Sequence, residues 1–90
     1  MKTLEVAYLV ARYCLENGTD TFTYRQLFRY ARRTRPSLHP NTVEREVRRL
    51  AQNGCLERQY IYSRLYRRRI ARFRATEKLF DLLRLHGVKI

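Results

Sequence analysis

Several residue types that define small protein classes are scarce in this 90-residue chain. It contains two cysteines, two prolines, three glycines, one methionine and no tryptophan. So few cysteines exclude a disulfide-rich secreted scaffold, and so few prolines and glycines exclude a linker-like chain. The longest unbroken apolar run covers only residues 6–11, whereas a transmembrane helix needs about 20 residues. We therefore expect a single domain over residues 1–90, located in the cytoplasm and not in a membrane.

The low number of acidic residues is the most informative feature of the composition. The chain has eight acidic and 20 basic residues, 17 of them arginine, which gives a formal charge of +12 at pH 7. The excess is local, since residues 1–20 sum to −1, residues 21–75 to +12 and residues 76–90 to +1. A surface adapted only for solubility would mix both signs along the chain. The basic centre therefore predicts a polyanionic partner.

The common catalytic and metal-binding patterns are also missing. The sequence has no glycine-rich phosphate loop and no C-x2-C or H-x3-H spacing, so we expect no enzyme activity, no cofactor and no metal site. Cys14 and Cys55 both fall at positions expected to face the core. They are predicted either as two reduced thiols or as a disulfide, which inside cells is typical of hyperthermophiles. An arginine-rich chain of this kind is compatible with a thermophile or its virus.

Spacing of apolar residues predicts four helices and one hairpin. The helices are expected over residues 3–17, Tyr24–Arg33, His39-Pro40 to Asn53-Gly54, and Glu77–His86. Thr23 and Thr76 are the predicted N-caps of the second and fourth helices. Alternating apolar and polar residues over 55–75 predict two strands, joined by a long, mobile loop within 63–69. Residues 18–21 are predicted to be a polar turn.

Two segments resemble the winged helix-turn-helix domains of bacterial and archaeal regulators. HPNTVEREVRRLAQNGCLER (39–58) resembles the recognition helix and first wing strand of that family, and RFRATEKLFDLL (72–83) resembles the second wing strand and the next helix. The resemblance implies an α+β, mostly α fold of three helices, a two-stranded wing and a C-terminal helix. It implies a helix-turn-helix over about 23–53, the wing over about 55–75 and the C-terminal helix over about 76–86. The implied function is sequence-specific binding of double-stranded DNA by a transcriptional regulator.

The third helix carries the predicted base-reading residues. Val43, Val47 and Leu50 share one face, which leaves an Arg, Asn and Gln face opposite. Arg pairs with guanine and Asn or Gln with adenine in the major groove, which accepts a helix. The predicted base-reading residues are Asn41, Thr42, Arg45, Arg48, Arg49 and Gln52. The alternative is an ordinary solvated face, in which Glu44 and Glu46 pair with Arg48 and Arg49.

Arginines of the second helix and the wing are the predicted contacts to the DNA backbone. No acid occurs between Thr21 and Val43, or between Glu57 and Glu77. An arginine-rich hairpin tip is typical of phosphate or minor-groove contact. The predicted residues are Arg25, Arg29, Arg32, Arg33, Arg64, Tyr66, Arg67, Arg68 and Arg69. Tyr60, Tyr62 and Tyr66 are expected either to stack on unpaired bases or to pack in the core or across the strands.

We also expect a homodimer formed through helix one and the C-terminal helix. Both helices are nearly neutral and apolar, and the leucines at 79, 82, 83 and 85 either pair across a two-fold axis or cover the protein's own core. Two other functions stay open. One is binding of RNA or single-stranded nucleic acid, and the other is a winged-helix module that binds proteins.

Overall fold

The computed structural model describes residues 2–90, which form four helices and a three-stranded antiparallel sheet. In chain order the elements are α1 (Lys2–Asn17), β1 (Thr21–Thr23), α2 (Tyr24–Thr34), α3 (Pro40–Gln52), β2 (Leu56–Ser63), β3 (Arg68–Ala75) and α4 (Glu77–Leu85). This confirms the predicted α+β, mostly helical class. Within residues 2–90 no helix combines the length and the apolar character needed to cross a bilayer.

Local chemistry explains where the helices begin and end. α2 starts at a capping box, in which the Gln26 N–H donates to Thr23 Oγ1 at 3.3 Å and the Thr23 N–H donates to Gln26 Oε1 at 2.9 Å. α3 starts at Pro40, and the Nδ1 of the preceding His39 accepts from the Asn41 N–H at 3.1 Å. Gly54 follows the end of α3 with φ of 81°, a backbone conformation that side chains disfavour.

α1 lies at the centre of the core. Its buried face, which includes Val6 and Val10, contacts α2, α3 and α4. Leu27 from α2, Val47 from α3 and Leu83 from α4 complete the same cluster, and all three are fully buried. The core therefore needs all four helices, and α4 is not an appendage to a three-helix unit.

Much of the apolar surface of the last helix that was predicted to form a dimer belongs instead to this core. Leu79 and Leu83 are fully buried within the chain, so for them the alternative, a role in the protein's own core, is the correct one. Leu82 is half-buried, and only Leu85 is widely open, with 81% of its surface exposed. The free apolar surface was overestimated from the sequence because three helices were expected to complete the core.

β1 was not predicted from the sequence. It pairs with β3, so the sheet order is β1-β3-β2 and the predicted two-stranded hairpin gains a third strand. Phe22 lies opposite Phe73, and their rings stack with centroids 5.6 Å apart. The prediction of a polar turn reaching Thr21 was wrong, because three residues are too short to show an alternating pattern. The long-range pairing with Phe73 holds β1 in place.

Thr76 is the N-cap residue of α4, as predicted, but its side chain does not cap the helix. Its hydroxyl makes no capping bond to α4 and contacts the carbonyl oxygens of Gly54 and Cys55 at 2.7 and 2.9 Å. The Thr76 N–H also donates to the Cys55 carbonyl, at 3.1 Å. These bonds compete with capping and fasten the start of α4 to the turn between α3 and β2.

The tip of the hairpin of β2 and β3 lies within 63–69, as predicted. The strands pair as far as Ser63 and Arg68, so the tip is the four-residue turn 64–67, which is longer than a two-residue turn. Arg67 adopts a positive φ of 54°. An arginine therefore occupies the left-handed position that Gly or Asn usually fills.

We predict that Leu83→Ala lowers the free energy of unfolding by about 2 to 5 kcal/mol, because it leaves a cavity under α1. Leu85→Ala is the matched control on the same helix and should cost less than about 0.5 kcal/mol, since Leu85 is exposed. Urea unfolding followed by circular dichroism measures both. Equal destabilisation by the two variants would contradict the described core.

Candidate nucleic-acid interface

The exposed side of α3 carries a stripe of polar side chains. Asn41, Arg45, Arg48 and Gln52 fall within about 60° of one another around the helix axis, and all four are exposed. The first three of them, with Glu44, surround a shallow depression of about 180 Å³. Four of the six predicted base-reading residues therefore share one stripe along the helix.

The other two predicted residues lie on the flank of α3 that turns towards α1. Arg49 Nη1 is 3.1 Å from Glu46 Oε1, and Glu46 is buried, with 1% of its surface exposed. Thr3, in the first turn of α1, donates its hydroxyl to Glu46 Oε2 at 2.9 Å. Thr42 is half-buried and lies between Arg49 and Glu46 around the axis. Arg49 and Thr42 thus border the stripe rather than belong to it.

Glu46 is a structurally important position that was expected only to flank the exposed face of α3. Its buried carboxylate connects α3 to the start of α1 through Thr3 and is paired with Arg49. The burial of Glu46 could have been predicted from its position around the helix axis, because Glu46 lies only about 60° from the core residue Val43. An acid that close to the apolar face must find partners inside the protein, and here it fixes the rotation of α3.

Ion pairs divide the α3 arginines into two kinds. Arg48 Nη2 is 2.6 Å from Glu44 Oε1, and Arg49 is paired with Glu46, as the alternative of a salt-bridged face anticipated. Arg45 makes no ion pair with any residue of the described range 2–90. It is therefore the α3 arginine whose guanidinium is free to meet a partner.

Tyr24 joins α2 to the sheet. The Tyr24 ring stacks on Phe28 with centroids 5.7 Å apart and meets Phe73 of β3 edge-on at 4.9 Å. The contact between Tyr24 and Phe73 therefore holds α2 in a fixed position against the hairpin. α2 also contacts α3.

Tyr66 joins the tip of the hairpin to α2. The Arg25 guanidinium of α2 lies 5.8 Å from the Tyr66 ring centroid, and that of Arg68 lies 5.9 Å from the same centroid. Both distances are within the range of cation–π attraction. The tip thus turns back towards α2, and basic groups of the two elements share one tyrosine.

The remaining arginines are the main electrostatic feature of the interface. Within residues 2–90, six of the 17 arginines form an ion pair, and the other eleven form none. All eleven lie on α2, α3 or the hairpin. We call them the free arginines: Arg25, Arg29, Arg32, Arg33, Arg45, Arg58, Arg64, Arg67, Arg68, Arg69 and Arg72. The arginines of α1 and α4, Arg12 and Arg84, are both paired.

The tyrosines of the hairpin are exposed. Tyr60, Tyr62 and Tyr66 expose 56, 64 and 43% of their surface. Tyr60 lies opposite Ala71 and Tyr62 opposite Arg69, on the face of the sheet that is buried only nearer its base. The Arg69 guanidinium is 5.5 Å from the Tyr60 ring centroid. Cross-strand packing therefore leaves these rings accessible to a partner.

Both cysteines lie inside the domain. Cys14 and Cys55 are buried and free, as in the first of the two predicted alternatives. Burial raises the pKa of Cys14 to about 11, and it also raises that of Cys55, so both thiols stay protonated near neutral pH. Among the described residues no three His, Cys, Asp or Glu side chains come together as a metal site would require.

Comparison with known proteins gives no assignment, because no family model, curated protein or solved structure matches the chain. The geometry of the interface is therefore the basis for inferring a function.

The positive φ of Arg67 allows the strain of its backbone to be measured separately from the effect of its charge. Asn tolerates a positive φ better than Ala or Arg, so Arg67→Asn should be about 0.5 to 1 kcal/mol more stable than Arg67→Ala. Both variants remove one charge and should weaken binding to a polyanion equally. Thermal unfolding and heparin binding measure the two effects. Equal stability of the variants would contradict the backbone conformation.

Proposed function

We propose that the chain is a winged helix-turn-helix domain that binds double-stranded DNA in a sequence-specific manner and regulates transcription. The observation that carries the proposal is the set of free arginines, all of which lie on α2, α3 and the hairpin. Tyr24 and Tyr66 link α2 to the hairpin, and α2 also contacts α3. The order of helices and strands is the one that the resemblance implies, and β1 adds a short strand at the base of the wing.

Repulsion between the free arginines argues against a surface that only faces water. Arg67, Arg68 and Arg69 are consecutive, and no acid follows Glu57 until Glu77. Like charges at such short separation destabilise the folded state unless an anion is present. A polyphosphate backbone removes that cost and releases its own counterions. The proposal therefore accounts for a charge distribution that stability alone would not favour.

The dimensions of α3 suit the major groove of a duplex. From Asn41 to Gln52 the stripe runs about 16 Å along the axis, at 1.5 Å per residue. The major groove is about 12 Å wide and accepts one helix, which can read three or four base pairs in this way. Arg45 and Asn41 are the base-reading residues we propose first, since no acid holds Arg45. To bind DNA, Arg48 and Arg49 would have to leave their carboxylate partners, Glu44 and Glu46.

The hairpin and α2 are proposed to contact the flanking backbone. Arg64, Arg67 and Arg68 surround the tip, and Arg25 reaches it from α2. A tip of this composition suits phosphates or a narrow minor groove. Arg72 and Arg74 are less available, because Gln59 and Glu57 on β2 hold them at 3.0 and 2.6 Å.

A homodimer is part of the proposal, with a smaller contact surface than the sequence suggested. The apolar side chains that stay open near α4 include Leu85 and Ile90, which are exposed, and Leu82 and Val88, which are half-buried. This region carries little net charge, so two copies meet there without bringing their free arginines together. A two-fold arrangement would place the α3 helices about 34 Å apart, on half-sites with centres about 10 base pairs apart.

Selection of bound sequences from a random duplex pool tests specificity and symmetry together. The proposal predicts enrichment of a defined site, and the dimer predicts that this site is an inverted repeat. Competition with RNA of the same sequence separates the two nucleic acids. Absence of enrichment, or displacement of duplex DNA by equimolar RNA, would contradict the proposal.

Arg45→Ala tests the reading role of α3. We predict that binding to the selected site weakens by about 1 to 3 kcal/mol, with relaxed preference at one or two base positions. Arg84→Ala is the matched control, because it removes the same charge from α4, where Arg84 is paired with Asp81. Fluorescence anisotropy over a panel of single-base variants gives both values. A uniform weakening over the panel would assign Arg45 to the backbone.

Replacing Arg64, Arg67, Arg68 and Arg69 by Ala tests the interaction between the hairpin and phosphates. All duplexes should bind more weakly, and the slope of log K against log salt should flatten by about 0.9 for each phosphate that is no longer neutralised. Binding titrations at several salt concentrations measure the slope. A slope equal to that of the wild type would show that the hairpin tip does not contact DNA.

A further inference from the structure

A groove beside α3 combines an apolar floor with a basic rim. It has a volume of about 670 Å³ and lies between α2, the connection from α2 to α3 and the first turn of α3. That volume is within the usual range for ligand sites, about 300 to 1,000 Å³. Contact with phosphates alone does not require such a floor, so the groove is left unexplained by the proposed function.

The floor is aromatic and rigid. Tyr24 and Phe28 stack on each other, and Tyr24 is held in turn by Phe73, so the pair cannot easily rotate away. Both prolines of the chain, Pro36 and Pro40, also line the groove. A ring that stacks here would not have to order the floor, because the floor is already fixed.

The rim is cationic, and no acidic group among the described residues neutralises it. Arg25, Arg29 and Arg32 line it along α2, and none of the residues that line the groove is acidic. Within residues 2–90 these three side chains make neither an ion pair nor a hydrogen bond. From Arg25 to Arg32 the rim is about 10 Å long, at 1.5 Å per residue. It therefore offers charge over a greater length than one phosphate needs.

We propose that this groove binds an unpaired segment of a nucleic-acid strand, with a base stacked on Phe28 and its phosphates on Arg25, Arg29 and Arg32. Bases provide flat apolar faces and phosphates provide charge at short, regular intervals, which is the combination that single-strand sites recognise. The rim favours a strand over a free mononucleotide because of its length. Bases inside a duplex are stacked and paired, so only an unpaired base can enter.

This inference rests in part on the proposed function, since the groove borders the duplex-binding surface. Arg25 also contacts Tyr66 of the hairpin tip, and Pro40 immediately precedes Asn41 of the α3 stripe. A duplex held by α3 would therefore bring an adjoining unpaired segment to the groove. The protein should prefer a duplex with a single-stranded extension to a blunt one.

The experiment compares a blunt duplex, the same duplex with a short oligothymidine overhang on either strand, and the oligothymidine alone, by fluorescence anisotropy. The overhang should tighten binding on the order of tenfold, the effect expected when one base stacks on an aromatic side chain. Phe28→Leu should abolish most of that gain and leave the affinity for the blunt duplex within about twofold, because leucine keeps the floor apolar but offers no ring. Phe80→Leu is the matched control on α4 and should keep the full gain.

The outcomes separate this inference from the proposed function. Binding of oligothymidine that depends on Phe28, without binding of the blunt duplex, would support the groove and overturn duplex recognition. No gain from either overhang, or a gain that Phe28→Leu retains, would overturn the groove site. Two competitors test for a different occupant of the groove, namely thymidine monophosphate and a peptide of alternating Glu and Leu. Displacement of the overhang by either one would also overturn the proposal of a strand site. Thermal unfolding of Phe28→Leu confirms that the variant is folded.

Discussion

The scarcity of carboxylates is the constraint on which the rest of this structure depends. Eight acids cannot neutralise 20 basic side chains, so the positions of the acids decide which arginines stay free. α1 and α4 hold four of the eight, and the two arginines of those helices are paired. α2 holds none, and the hairpin holds only Glu57, at its base. The fold thus separates a nearly neutral side from a strongly basic one, and the basic side is where an anionic partner is stabilised most.

Aromatic contacts keep that basic surface in a defined shape. Phe22 on β1 stacks on Phe73 of β3, and Tyr24, two residues later, meets the same Phe73 ring edge-on. The short β1 strand therefore connects the core to the hairpin and to α2 at once. On α3, the buried Glu46 performs a similar task through Thr3. Because these anchors are rigid, the free arginines of three elements keep fixed relative positions, and a binding partner need not order the scaffold.

The sequence was sufficient for most of the fold, and the reasons for the wrong predictions are physical. Helices were found within one or two residues of their bounds because their apolar spacing and their caps are local signals. β1 was missed because its one large apolar residue, Phe22, is held in a strand only by pairing with Phe73, which lies 51 residues away in the chain. Thr76 is the N-cap residue that was predicted, but its hydroxyl binds the carbonyl groups of a distant turn instead of capping α4. Leu79 and Leu83 could not be distinguished from dimer contacts until the arrangement of the helices showed that α1 covers them.

For the candidate interface, composition identified the basic elements but not their geometry. The free arginines include every predicted backbone arginine, since charge along the chain is visible in the sequence. The linkage through Tyr24 and Tyr66, the burial of Glu46 and the groove beside Phe28 depend on how elements pack, and no local pattern reveals them. The pairing of Arg49 with Glu46 is a local contact that the sequence anticipated, but the burial of Glu46 follows from the rotation of α3, which Thr3 helps to fix.

The most direct test of nucleic-acid binding by the free arginines is a map of backbone amide and arginine side-chain NMR shifts during titration with a duplex. We predict shifts at Arg45, Arg25, Arg68 and the residues around them, with α1 and α4 nearly unchanged beyond any dimer contact at Leu85. Shifts centred on α1 and α4, or no shifts at moderate salt, would contradict the claim that the free arginines form the surface that binds nucleic acid.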